Sequence, residues 1–457
     1  MKWKWFVSAV VCLLPCFSAA ATRHYYIAAE DVSWNYAPSG RDLIDSRPIP
    51  APWSAQTVWP KSRFVEYTDA TFSQKKEQPE WLGILGPIIR AEVDDEVIVE
   101  FFNRGRVPHS IHPHGLRYDK ENEGAFYLPA TKGASVAPGA KFTYHWLADP
   151  SSGPGQGQLS SIVWWYHGHT DESRETNAGL EGPIIVTAKG KARPDGSPKG
   201  VDQEFVASFM IYDELGGKPS GQFHAINGYV FGNLPGMVMK QGETVRWYMM
   251  GMGSEKDLHS PHWHGKTVTD GTRHVDVVEL MPGSTISADM VADNPGTWLL
   301  HCHVADHMEG GMMATFTIYQ QTASSCPLKV TEGSFWNSDK FSVEVQNSSG
   351  KKVRNFSLQS EYLLSPQDLH RPFTDAAWSS AESLPAAEKR GMEKKAYAAD
   401  KNKQIAAWVL FPRTVEYEDG SSWKPQQEGE CFQVFWRDAD HPDLKVLPPR
   451  QMDMNED

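Results

Sequence analysis

The sequence predicts an all-β chain: two β-sandwich domains in series, then a smaller β-rich domain. Two observations predict it. Short runs with apolar residues on alternating positions recur, such as Val97-Ile98-Val99-Glu100-Phe101-Phe102 and Glu243-Thr244-Val245-Arg246-Trp247-Tyr248. The 37 glycines and 31 prolines are spread along the 457 residues, which suits many short strands joined by turns. A hydrophobic content of 40% lets a chain of this length bury two or three separate cores.

The elements follow in order. Residues 1–21 read as a secretory signal peptide: Lys2 and Lys4 form its basic start, Phe6 to Phe17 its apolar core, and Ser18-Ala19-Ala20-Ala21 a small-residue cleavage region. That run is too short to span a bilayer and no later segment qualifies, so the expected location is secreted or periplasmic. Residues 22–190 form the first domain. Lys189 to Gly200 is a polar, Gly/Pro-rich linker, and residues 201–321 form the second domain. Gly182-Pro183-Ile184-Ile185-Val186-Thr187 closes the first as Ala314-Thr315-Phe316-Thr317-Ile318-Tyr319 closes the second, the mark of an internal duplication. Residues 330–457 carry strand-like runs (Phe341 to Val345, Ile405 to Phe411, Cys431 to Trp436) around a charged, alanine-rich stretch, Ala386 to Asp400, read as a short helix. This appended domain resembles no family, and a structural role is expected of it. Cys326 and Cys431 either pair in an oxidising compartment or remain two buried thiols. The net charge of −13 excludes nucleic-acid binding, which needs a basic face, and leaves room for cationic substrates.

The chemistry concentrates at His301-Cys302-His303, which ends the apolar run Gly296 to Leu300, and continues to His307 and Met312. On a strand, His301 and His303 face one way and Cys302 the other, so one segment can serve two metal sites back to back. Cys302, His307 and Met312 supply a thiolate, an imidazole and a thioether, one histidine short of a blue-copper site. Three more clusters stand upstream: His259-Ser260-Pro261-His262-Trp263-His264, His112-Pro113-His114 and His167-Gly168-His169.

These four motifs, in this order and with Met312 ten positions past Cys302, resemble the multicopper oxidases, the family of laccase, ascorbate oxidase and ceruloplasmin. The resemblance implies Greek-key sandwiches of the cupredoxin type and four copper ions. Type 1 copper would take His259, Cys302, His307 and Met312. Type 2 would take His112 and His262. The type 3 pair would take His114, His167 and His303 on one ion, and His169, His264 and His301 on the other. Soft ligands collect single electrons, and an imidazole-rich cluster stores them for dioxygen.

With two such domains, and no cysteine motif in the first, the chain resembles the two-domain small laccases. That resemblance implies a homotrimer whose three trinuclear clusters form between domain faces. The implied activity is laccase-like: one-electron oxidation of a phenol or aromatic amine coupled to reduction of dioxygen to water. A metallo-oxidase acting on ferrous or cuprous ion is the alternative. A copper nitrite reductase, which places type 1 copper in the first domain, and a non-catalytic copper-binding protein stand further off. Similarity to the ceruloplasmin-like ferroxidases singles out Asp306 and His224 as iron-facing, whereas the pattern's glutamate is Pro219 here, with Glu214 nearby but off the pattern. Similarity to the small laccases places Tyr118 and Asp276 beside the cluster, where a proton and an electron are needed. The methionines Met249, Met250, Met252, Met308 and Met313 read as core packing rather than as a cuprous-ion path.

Overall fold

The computed structural model describes residues 20–319 without interruption. Beyond these it describes residues 326–335, 340–363, 373–374, 378–380, 383–395, 407–424, 431, 433–436 and 446–447. Residues 1–19 of the expected signal peptide lie outside the described residues.

Alternation builds the first domain. Glu96–Asn103 buries every second side chain, and Val97, Val99 and Phe101 are fully buried in the core. One sheet runs Val58–Tyr67, Thr22–Asn35, Glu96–Asn103, Lys141–Leu147; the sheet facing it runs Ile89–Glu92, Glu181–Thr187, Ser161–His167, His112–Pro113. The second domain repeats the plan. Its larger sheet begins Gln222–Ile226, Gln203–Asp213, Thr244–Gly251, Thr285–Val291; its other sheet runs Val238–Lys240, Met313–Tyr319, Gly296–Cys302, Pro261–Trp263. The parallel pairs fall at matching places: Thr22–Asn35 with Glu96–Asn103 and Gln203–Asp213 with Thr244–Gly251, then Ile89–Glu92 with Glu181–Thr187 and Val238–Lys240 with Met313–Tyr319. The duplication suggested by the two closing strands therefore extends to the whole strand order. Both units are all-β sandwiches, as expected.

The two sandwiches share a core. Trp81, Leu82, Ile84, Leu85, Val163 and Trp165 of the first pack with Phe205, Trp247, Trp263 and Met249 of the second. Polar groups close the same seam: Lys61 is ion-paired to Glu214 at 2.5 Å, and Arg90 to Glu204 at 2.9 Å. The linker folds into a tight turn in which Arg193 donates to the carbonyls of Pro198 and Val201. A short connection and an apolar seam hold the pair in one orientation.

The third domain has its own core around Val343, Val345, Phe356, Leu358, Leu410 and Val415. Cys326 and Cys431 form a disulfide within it. The expected helix over Ala386 to Asp400 is not found: Lys389–Lys395 is a strand paired with Lys340–Asn347. The reason is period. Arg390 and Met392 are half-buried while their neighbours are exposed, and Met392 packs on the core, so tertiary burial overrides helix propensity. Residues 396–400 lie outside the described residues. Among the described residues, no helix is long and apolar enough to cross a membrane.

Candidate metal centres

Two antiparallel registers place the second domain's ligands. Pro261 lies opposite Cys302 and His262 opposite His301, so the His259–His264 segment runs beside the His301-Cys302-His303 segment. Backbone bonds in both directions between His259 and Leu280 fix the first histidine. The short helix Ala305–Glu309 returns His307. Cys302 Sγ then lies 3.8 Å from His259 Nδ1 and 3.6 Å from His307 Nδ1, and the two imidazole nitrogens are 3.2 Å apart. All three residues are buried. Met312 is buried in the same core, and its carbonyl accepts the Cys302 N–H at 3.1 Å.

The electrostatics suit a soft cation. Burial pushes the Cys302 thiol up, but hydrogen bonds with His259 and His307, and N–H donors at Ser260 and Val304, outweigh it and hold the pKa at about 6. Burial lowers the His259 pKa, while Asp257 and Cys302 raise it to a net upward shift. Asp257 is itself pinned, accepting the Ile211 N–H at 2.7 Å. Sequence reasoning passed over this orienting carboxylate. Its signal was spacing, an acidic residue two before a ligand.

The eight other histidines form two quartets. In the first domain His112, His114, His167 and His169 pack ring to ring, with centroids 5.0–5.5 Å apart. In the second domain His262, His264, His301 and His303 do the same, at 4.7–5.6 Å. Ring nitrogens close to 3.0 Å between His114 and His167 and between His264 and His301. Each quartet is built alike: His112 lies opposite His167 as His262 lies opposite His301. Burial, reinforced by neighbouring histidines, lowers the pKa of His112, His114, His167, His262 and His301, with His114 lowered to about 4 and His167 to about 3. Neutral imidazoles are what a metal ion needs. Among the described residues no hydrogen bond or ring contact joins one quartet to the other. The type 2 and type 3 sets expected above draw on both quartets, so one chain brings together the members of each quartet but not the complete sets.

The remaining expected residues fall as follows. Tyr118 is half-buried with its ring 5.8 Å from that of His112. An Asp276 carboxylate oxygen lies 3.7 Å from His262 Nε2. Asp306 is exposed beside His307. The His224 ring lies 5.1 Å from that of His307, tilted by 53°, and its Nδ1 is buried without a hydrogen-bond partner. Burial, then His307, lowers its pKa to about 4. Glu214 is not free to face a metal: it pairs with Lys61 and accepts the Tyr36 hydroxyl at 2.5 Å. Met249 and Met250 are fully buried and Met252 nearly so, in keeping with a packing role. Two acids of the helix Glu172–Ala178 were missed. Glu172 lies 3.3 Å from His169, and Glu175 is buried against His109. Both follow His169 within a few residues, the one cue the sequence offered.

Two family models, both described as multicopper oxidase, match residues 65–191 and 212–322. Among curated relatives, the chain is 34% identical to "Ferroxidase HEPHL1" of Mus musculus over 65% of this chain and 29% of that protein. It is 33% identical to "Hephaestin" of Homo sapiens over 69% of this chain and 31% of that protein. With "Ceruloplasmin" of Rattus norvegicus it shares 33% identity over 68% of this chain and 33% of that protein. The chain thus spans about a third of the length of these relatives. A solved multicopper oxidase aligns with a TM-score of 0.48 at 24% identity, over 65% of this chain and 89% of that one.

Proposed function

The chain belongs to the multicopper oxidase family, and on that premise we propose that it is a metallo-oxidase that takes single electrons from a low-valent metal ion, Fe(II) foremost, and delivers them to dioxygen. The observation that carries this reading is the buried Cys302–His259–His307 triad, whose cysteine is bonded through the main chain on either side to His301 and His303 of a histidine quartet. Bound copper would supply one-electron storage and dioxygen binding. The donor sets fit it: a depressed thiol among imidazoles for the type 1 ion, and clustered imidazoles, with His114 and His167 held well below the usual histidine range, for the type 2 and type 3 ions.

The metal-ion donor takes precedence over the phenol expected from the small-laccase resemblance for two reasons. The relatives include proteins named for ferroxidase activity. His224 also presents a buried, unpaired Nδ1 against His307, beside the exposed carboxylate of Asp306. An imidazole and a carboxylate at the edge of the electron-accepting site form a partial cation site. The laccase-like reading keeps one observation in its favour: Pro219 stands at the pattern's glutamate position and the nearby Glu214 is tied to Lys61 and Tyr36, so the metal pocket lacks a ligand.

The separation of the quartets supports completion of the cluster between copies of the chain. His112, His114, His167 and His169 of one protomer would face His262, His264, His301 and His303 of its partner. Such head-to-tail contacts close into a ring, and a homotrimer in a secreted or periplasmic setting is the arrangement we favour. Tyr118 and Asp276 stand at the rims of the two quartets, where they can hold or pass protons.

Oxygen uptake with Fe(II), Cu(I) and a phenol tests the reading directly. Fe(II) is expected to turn over fastest, with D306A and H224A raising its KM while leaving the phenol unchanged. Faster turnover of the phenol, with both variants neutral toward Fe(II), would return the protein to the laccase-like class.

A further inference from the structure

Backbone hydrogen bonds superimpose the first domain on the type 1 site of the second, residue by residue. His109 and Val136 exchange two N–H···O bonds at 3.1 and 2.9 Å, as His259 and Leu280 do at 2.8 and 2.9 Å. Gly168 donates to the Leu180 carbonyl at 2.9 Å, as Cys302 donates to that of Met312 at 3.1 Å. Leu180 donates to Glu175 at 3.0 Å, as Met312 donates to His307 at 3.0 Å. Gly179 and Gly311, one residue earlier, share a left-handed conformation, with φ of 101° and 95°. His109, Gly168, Glu175 and Leu180 therefore occupy the stations of His259, Cys302, His307 and Met312. The thiolate and thioether are gone. The two remaining stations hold a histidine and a carboxylate bonded directly to each other.

We propose that the buried Glu175–His109 pair replaces a metal ion as the clamp of the first domain, with Glu175 the positioning residue for His167 and His169. Both side chains are at least 97% buried. The other Glu175 oxygen accepts the Thr170 N–H at 2.6 Å and the Asp171 N–H at 3.2 Å, which fixes the loop directly after His169. A side chain at Gly168 would collide with Glu175, its Cβ coming within 2.8 Å, so the ligand loop lies flat on the carboxylate. His169 is further tied by its N–H to the Ser110 hydroxyl, next to His109. In the second domain the corresponding segment is to be held by bonds to type 1 copper. In the first, a buried ionisable hydrogen bond does the same work with no metal. A buried pair of this kind is costly to break, which favours one loop geometry.

The inference rests on the reading of the histidine quartets as copper ligands, and the test separates the two. The full chain would carry E175A or E175Q. Amide hydrogen exchange would be read on the copper-free protein; copper content, blue absorption and paramagnetic resonance would be read after loading. In E175A the Thr170 and Asp171 amides are expected to exchange about tenfold faster or more. The blue type 1 signal persists while histidine-bound copper is lost. E175Q keeps an acceptor for the loop and restores most of both. E175A with wild-type exchange at those amides, or with full loading of histidine-bound copper, overturns the proposal. Wild-type protein that loads type 1 copper alone overturns the functional reading instead. If thermal melting shows E175A unfolded, E175Q compared with H109A carries the same contrast: loop protection near wild type in the first, reduced in the second, and equal protection in both refutes the clamp.

Discussion

Cys302 should be a thiolate at neutral pH before any copper arrives. Its thiol is held at about 6 against an ordinary 9.0, because His259, His307 and two backbone N–H groups outweigh the burial that alone would raise it. At pH 7 this makes the folded copper-free protein roughly 90% thiolate, against roughly 1% when unfolded. A depressed folded pKa contributes stability that is complete above pH 9 and is lost as pH falls through 6. The full three units correspond to about 4 kcal/mol, of which roughly a third is present at pH 7. Cys302 is the free cysteine among the described residues, so ultraviolet thiolate absorbance against pH follows it in the copper-free protein. The expected midpoint is about pH 6. H307L removes the nearer imidazole, 3.6 Å away, leaves burial in place, and should move the midpoint upward by at least one unit. A wild-type midpoint near 9, or an unchanged midpoint in H307L, would refute the preorganised site. A preformed thiolate also means that copper capture displaces little proton from this ligand, which titration calorimetry in two buffers would detect.

Three further outcomes are expected. C302S should lose blue absorption and donor oxidation yet still load copper at the histidine quartets, which contain no thiol; a blue, active serine variant would sink the type 1 assignment. Burial raises the Glu181 carboxyl to about 7, against the pull of the Tyr212 hydroxyl and Lys61. Its raised pKa contributes stability at low pH that is lost as pH rises from about 4.5 through 7, so E181Q should gain on wild type by about 3 kcal/mol between roughly pH 4 and pH 8; parallel denaturation curves of copper-free protein across that range would refute the raised value. Mixing an H112A/H114A subunit with an H301A/H303A subunit should restore part of the activity that neither shows alone. A fully active monomer by light scattering would exclude the shared cluster.

The fold and the meeting of Cys302 and His307 were legible because their signals are local. The alternation over Glu96–Asn103 and the apolar run at Gly296–Cys302 need no tertiary information, and the spacing of Cys302, His307 and Met312 is a property of one turn. What stayed hidden depends on partners far along the chain. Glu214 reads from the sequence only as near the ferroxidase pattern and off it, and nothing in the sequence places Lys61 beside it, 153 residues away. Ala386 to Asp400 looked helical because its charges and alanines score well, while the alternation of Arg390 and Met392 acquires meaning only against Val343 and Val345. His109 was passed over for a subtler reason. His109-Ser110-Ile111-His112-Pro113-His114 has the same spacing as His259-Ser260-Pro261-His262-Trp263-His264, so the sequence carried the equivalence. Without a cysteine at Gly168, however, no metal chemistry drew attention to it.

That equivalence also bears on why the two halves of this chain are not interchangeable. Both halves gather four histidines at the same strand ends, and both hold them with the same backbone bonds. In the second, the segment that bears His301 and His303 also bears Cys302, so an electron entering at the thiolate is one residue from the quartet on either side. In the first, the matching residue is Gly168, and the station behind it is closed by Glu175 and His109. On the proposed copper assignment, the first quartet would have no cysteine beside it as an electron entry and would draw on the half supplied by a second domain. An arrangement with one electron entry per complete cluster follows from pairing one half of each kind, and two like halves could not provide it.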